Sequence, residues 1–370
     1  MANNLAAFTP IKYSLQLVKI LYNDTLYPWI TNTDYEGTIK DSGDRVRVRT
    51  SARIALSAYT KGLTLVSQDL NPTQEDLIVD QQSYFKFVVD DIDKFQNDIP
   101  TIETYAANSK RDMSELIDTN ILLYGRKNVK GNNAVGTDYS TGTIAVAVST
   151  GVVTGVGTTF TAAMVGGYFA PVASTAVTQS TVFYLVTAFT SATSITILDL
   201  DGVAYTGGAV GAGASYVIKA ATAIALTSAN VYAQLVAVRT ALGQALCPKE
   251  GRFIVVNAQF EGLLMQSPQF IPAVIPAYQD VVKNGLIGRV AGFEVYTSEL
   301  ISGDNTTGYW FLAGTKDFMA FALQIMKTSV VPSESDPNTF VSTCKGLLVF
   351  GRKVFAGNRG RGAVLRGTLS

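Results

Sequence analysis

Histidine is absent from this 370-residue chain, and cysteine occurs only twice, at Cys247 and Cys344. Without histidine there is no His-dependent triad, no imidazole general base and no His-containing zinc site. The two cysteines have no partner spacing, so they do not read as half of a metal cluster. An enzyme built from this alphabet would have to work through carboxylates, lysine or serine, as glycosidases do with two carboxylates. An excess of either charge is also missing: 29 basic residues balance 29 acidic ones. That argues against a strong, non-specific grip on nucleic acid, although a local patch is still compatible with it. Apolar residues make up 47% of the chain, but no long run of them is free of charges or turn formers, so no membrane span is indicated. The opening MANNLAAFTPIKYS has neither a basic n-region nor an apolar h-region, and so does not read as a signal peptide.

What is present begins with periodicity. Between Ile99 and Gly125, apolar side chains at Ile102, Tyr105, Ala106, Met113, Leu116, Ile117, Ile121 and Tyr124 make one stripe along a long helix. Pro100 suits its first turn, and Gly125 followed by Arg126 and Lys127 reads as its end. Lys110, Arg111 and Asp112 fall on the opposite side. Upstream, residues 1–35 form an arm: a short amphipathic piece from Ile11 to Leu21, then Tyr27, Pro28 and Trp29, whose aromatics need another surface to cover them.

Residues 36–80 read as an extended β-hairpin. Arg45, Arg47 and Arg49 alternate with Val46 and Val48, which places the arginines on one face. They are either a solvated face or contacts to an adjacent molecule. Asp41-Ser42-Gly43-Asp44 is turn chemistry. A second strand is expected over Leu77–Val89. The stretch between, from Ser57 to Thr73, is polar, and an isolated hairpin of this kind is marginal unless it lies on a neighbour. Asp90, Asp91 and Asp93 invite a metal or acid–base reading; the simpler one is that they favour a helix start or pair with nearby cations.

From Gly131 to Ala221 the composition changes. Only Asp138, Asp199, Asp201 and Lys219 are charged there, among Gly, Ala, Thr, Ser and Val. The β-branched runs Thr143–Val148, Val152–Val156, Val182–Val186 and Ser194–Leu198 predict a small all-β unit. GVGTTF is not a phosphate loop, because no Gly-Lys-Ser/Thr follows it. After Ala221 an ordinary α/β pattern returns. Thr227-Ser228 opens a helix to Leu246 with Val231, Leu235, Val238, Leu242 and Leu246 on one stripe, Arg252–Asn257 is a buried strand, and a second helix spans Ala258–Gln266. Residues 283–301 read as turn, strand, tight glycine turn and strand. Tyr309–Ser370 holds returning strands interrupted by a loop at Ser333–Asn338.

Three stretches carry a family resemblance. The run Gly285-Leu286-Ile287-Gly288-Arg289-Val290-Ala291-Gly292-Phe293-Glu294-Val295-Tyr296-Thr297-Ser298 is similar to the glycine-punctuated apical-domain pattern of tailed-phage major capsid proteins of the Hong Kong 97 type. Val88 to Asp93 and Phe350-Gly351-Arg352-Lys353-Val354 look like features of the same family, and VVTGVGTTFT with YLVTAFTSATSITILD resembles a small barrel-like module of phage structural proteins. The resemblance implies an α+β Hong Kong 97-like fold: residues 1–35 as N-terminal arm, 36–80 as extended loop, 81–130 and 302–370 as a peripheral domain with its spine helix, 131–221 as an inserted all-β domain and 222–301 as an axial domain. It implies a non-enzymatic shell subunit without cofactors that forms pentamers and hexamers around double-stranded DNA. The partners implied are a separate scaffolding protein, a portal, decoration proteins and packaged DNA on the inner face, in a virion assembled in the host bacterial cytoplasm. Arg45, Arg47, Arg49, Tyr27 and Trp29 are the expected inter-subunit contacts. Lys40 or Lys61 with Asn338 or Asn358 would serve a covalent crosslink, but no motif selects them. An encapsulin-like compartment shares the fold, and an adhesin or carbohydrate-active β protein is the reading from another class.

Overall fold

The computed structural model describes residues 25–36, 45–50, 54, 56–62, 64, 67–69, 72–92, 101–148, 150–172, 182–200, 202–268, 288–331 and 340–369. The Ile11–Leu21 piece, the Asp41–Asp44 turn, Lys40, Asp93, Pro100, Gly285–Ile287 and Ser333–Asn338 lie outside the described residues.

The long helix runs from Thr101 to Lys127. Its buried positions are Met113, Ile117, Asp118, Ile121 and Leu122. Burial therefore follows only part of the expected stripe: Tyr105 is 51% and Leu116 42% exposed. The helix also continues through Gly125. A Cβ there would stand 2.9 Å from the Leu312 side chain, so this glycine serves close packing against a strand and does not end the helix.

The helix packs on a three-stranded antiparallel sheet ordered Ala320–Val331, Val341–Lys353, Gln81–Asp90. Alternation along Gln81–Asp90 turns Phe85 and Phe87 toward the helix, where Phe87 meets Tyr105 edge-on at 6.1 Å. The predicted strand Leu77–Val89 is in fact two: Thr73–Ile78 closes the hairpin, and Gln81–Asp90 joins this sheet.

A mixed sheet forms the second body. Its order is Ile224–Leu226, Gly362–Leu369, Tyr309–Thr315, Arg252–Val256, Phe293–Thr297, Arg289–Val290, with Ala134–Val135 also on Gly362–Leu369. The boundary expected at 301 is therefore crossed, because strands from 302–370 lie at the centre of this sheet. Its fully buried middle strand Arg252–Val256 pairs parallel with Phe293–Thr297 and antiparallel with Tyr309–Thr315. Helices Val231–Gln244 and Ala258–Met265 accompany it, the first burying Val231, Leu235, Val238 and Leu242 as expected. Leu246 departs from the expected stripe: the chain has turned to positive φ there, and the side chain is 86% exposed. The tight glycine turn is Ala291-Gly292, both at positive φ, which matches the primed two-residue hairpin turn.

Between Val135 and Ile224 the chain leaves the mixed sheet and builds a closed one. The strand order is Thr137–Tyr139, Val210–Thr222, Thr143–Val146, Val152–Val156, Ser194–Asp199, Tyr184–Ser191, Tyr168–Val172, and the last strand pairs back onto Val210–Thr222. Closure removes most free edges. This barrel has its own core, including Ile144, Val153, Phe169, Ile195 and Ile197. The opposite sides of its strands feed the main core through Tyr168, Phe183, Leu185 and Val217.

Candidate subunit interface

For a chain whose expected work is self-association, the site is surface rather than cleft. Arg45–Thr50 pairs antiparallel with Thr73–Ile78, Arg47 opposite Asp76 and Arg49 opposite Gln74. The valine face of this base is covered: Val46 and Val48 pack against a cluster of Leu77, Val79, Ala320, Ala322, Val349 and Phe355. Glu75 accepts the Ala356 N–H at 3.0 Å and so ties the strand to the Ala356–Arg361 turn. The hairpin base thus belongs to its own subunit.

On the other face the three arginines differ. Arg47 forks onto Asp76, Nε to Oδ1 at 2.8 Å and Nη2 to Oδ2 at 3.1 Å, while Arg45 stands 4.0 Å from the same carboxylate. The Arg47 hydrogen bonds hold the Asp76 carboxyl below its ordinary range and raise the guanidinium in turn. Arg47 is exposed and Asp76 still reaches solvent, so the pair contributes little to stability. Arg49 is exposed and meets no carboxylate among the described residues. Arg45 and Arg47 both approach Asp76, so Arg49 is the member of the ladder without that carboxylate.

Beyond the base the hairpin holds apolar side chains in solvent. Leu56 is 99%, Tyr59 65% and Ile54 62% exposed. Lys61, at the Gly62 turn, is exposed as well.

The arm, by contrast, is docked at home where it is described. Tyr27–Ile30 is a single helical turn with Ile30 fully buried. Its N-terminus is capped from the long helix: Asp118 accepts the Leu26 and Tyr27 N–H groups, each at 2.9 Å, through its two oxygens. Asp118 is 1% exposed, and burial pushes its carboxyl up to about 6, with the two N–H bonds pulling it back and Glu115 adding to the rise. Asn32 then bridges to the sheet, its N–H donating to Met319 O and its carbonyl accepting from Phe321 N. Tyr27 packs on Phe321 with ring centroids 5.0 Å apart, and burial raises its hydroxyl. The expectation that the arm's aromatics need a neighbour therefore does not apply to Tyr27, whose ring its own subunit already half-covers. Trp29 stays 55% exposed under the Lys316 ammonium, 5.5 Å from the ring centre. Asp118 has a faint sequence signal, a lone carboxylate between Ile117 and Ile121 on the apolar side of a helix.

No group of three or more potential metal ligands occurs among the described residues. Asp91 accepts from the Ser342 hydroxyl at 3.4 Å, a structural role for one of the clustered aspartates. Asn358, one suggested crosslink acceptor, donates to Asp317 O at 2.8 Å. No described helix is long and apolar enough to cross a membrane.

Residues 195–365 match the family model described as phage capsid protein. Over that stretch, a little under half of its length, the chain is similar to phage capsid proteins. The match begins inside the barrel and runs through the mixed sheet to its strand Gly362–Leu369. No curated protein sequence matches the chain. Among solved structures, the chain is similar to one from Mycobacterium phage Che8, at 18% identity and a TM-score of 0.63 over 98% of both chains. A cyanophage P-SCSP1u capsid structure aligns with all of this chain and 96% of its own, at 11% identity and a TM-score of 0.61. The mature capsid of bacteriophage PhiM1 aligns with 98% of this chain and 92% of its own, at 11% identity and a TM-score of 0.58. At such identities the likeness speaks for the fold, which is that of phage capsid subunits.

Proposed function

We propose that this is the major capsid protein, which assembles into pentamers and hexamers of an icosahedral shell around double-stranded DNA. The observation that carries this reading is the division within the hairpin. Its base is packed and ion-paired at home, while Ile54, Leu56 and Tyr59 are largely exposed to solvent. Exposed apolar groups on an extended support mark an interaction surface, and head-to-tail contacts between identical copies generate rings that close into shells.

In this reading residues 1–35 act as arm and 36–80 as the loop that reaches a neighbour. The long helix and its three-stranded sheet are peripheral, the mixed sheet, which draws Tyr309–Thr315 and Gly362–Leu369 from 302–370, is axial together with 222–301, and 131–221 is an added domain. Arg49 and Trp29 are the contacts we favour from the expected set; Arg45 and Arg47 serve first within the hairpin. A separate scaffolding protein, a portal and decoration proteins are the companions expected in a virion built in the host cytoplasm.

Negative-stain microscopy of the purified chain, alone and with the companion proteins of its genome, tests the proposal. Uniform round shells are the expected result; discrete small particles under every condition would refute it. Leu56→Asp should leave the subunit's melting temperature unchanged and abolish shells. DNA inside virion-derived particles separates this reading from an encapsulin-like compartment.

A further inference from the structure

The three-stranded sheet has a second face, turned away from the long helix. On it Lys86 sits directly opposite Lys345, and Lys327 lies one rung away, opposite Leu347, which in turn pairs with Tyr84. All three lysines are exposed, and no carboxylate pairs with any of them among the described residues. Lysines facing each other across neighbouring strands repel, a cost the subunit bears with no internal return. Apolar groups stand between the charges: Tyr84 is 83% and Leu347 42% exposed. A bare polyphosphate would satisfy the lysines and leave these rings and methyls wet, whereas a polypeptide with acidic and aromatic groups would cover both.

Such a surface exists on the same sheet. At its end, Asp90 and Asp91 are followed by Ile92, 65% exposed, and beside them Phe340 is 83% exposed, its carbonyl accepting the Asp91 N–H at 3.0 Å. Asp90 lies about 13 Å along the strand from Lys86, too far to neutralise it within one chain. The hairpin from Ser51 to Pro72 is a poor alternative occupant, because Arg53 and Lys61 outnumber Asp69 there.

We propose that the acidic, aromatic end of this sheet in one copy, Asp90, Asp91, Ile92 and Phe340, docks on the lysine face of the next. The two patches differ, so the contact is heterologous and propagates around a ring rather than closing a dimer. This inference rests on the capsid-shell reading above.

The test is a charge swap in the full chain, scored by sedimentation and electron microscopy of assembled particles beside the unmodified protein. Lys86→Glu with Lys345→Glu should lower the assembled fraction at least about tenfold, because it sets like charges against each other across the contact. Asp90→Lys with Asp91→Lys should do the same, and the four substitutions combined should restore assembly. Lys86→Gln with Lys345→Gln guards against a folding artefact: it should melt like the parent and assemble less well. Normal shells from either reversed pair, or no recovery in the combined variant, would overturn the docking while leaving the capsid reading intact. Failure of the unmodified chain to form shells under any condition would remove the capsid reading, and this inference with it.

Discussion

Asp118 shows how much one side chain decides. A carboxylate removed from water on an apolar helix face is costly, and two backbone N–H groups of the arm offset only part of that cost. The sign of its pH effect follows from the direction of the shift. Its folded value, about 6, lies above the ordinary 3.8, so the folded state holds the proton more tightly than the unfolded chain. Stability attached to this group is therefore fully present below about pH 4 and declines as pH rises to about 6, then stays flat. Compared with Asp118→Asn, which has nothing to titrate, the parent should lose on the order of 2–3 kcal/mol across that window. Denaturant unfolding of both proteins from pH 4 to 7 measures it; parallel curves would show that Asp118 does not titrate as described.

At the scale of elements, the long helix separates burial from periodicity. Ile117 and Leu116 are adjacent in the same apolar stripe of the sequence, yet Ile117 is fully buried and Leu116 is 42% exposed. Ile117→Ala should cost about 2–5 kcal/mol by leaving a cavity, whereas Leu116→Asp should change stability by less than about 1 kcal/mol. Thermal unfolding of the two variants decides between this arrangement and one in which the whole stripe is covered. The hairpin makes a related point. Alternation of Arg and Val fixes which residues share a face, but it says nothing about which arginine finds Asp76; the antiparallel register puts Arg47 there and leaves Arg49 facing Gln74.

At the scale of the molecule, the decisive feature is how the barrel is joined to the rest. Arg366, on the strand Gly362–Leu369, is 1% exposed and reaches across the junction. Its guanidinium donates to Ala220 O, Ala221 O, Ala163 O and Thr307 O at 2.7–3.0 Å, carbonyls drawn from the barrel and from the loop before Tyr309–Thr315. Arg366 and Arg126 stack on Trp310, 4.6 and 4.2 Å from its centroid, and Arg126 donates to the Ser302 hydroxyl. Burial lowers Arg366 to about 10, so it stays charged at neutral pH and draws its solvation from those carbonyls. Arg366→Ala should destabilise the whole chain by about 3–5 kcal/mol, since several buried acceptors lose their donor together. Calorimetry should show a single lowered transition; an early transition confined to part of the heat would instead mean that the barrel melts independently.

Composition and period alone determined a good deal here: the lack of histidine chemistry, the long helix, the arginine alternation, the charge-poor β unit and the glycine hairpin. These are local properties, set by turn chemistry, branching at Cβ and the repeat of apolar side chains along one element. What only the tertiary structure decided is non-local. Whether 77–89 is one strand or the ends of two depends on which sheet each half joins. Whether Gly125 stops a helix or admits a neighbour depends on Leu312, far away in the sequence. The roles of Asp118 and Arg366 come from partners between 59 and 203 residues distant, and those of the three lysines of the outer sheet face from strands that only the sheet brings together. No window of sequence contains both halves of such a pair, so only the folded chain could assign them.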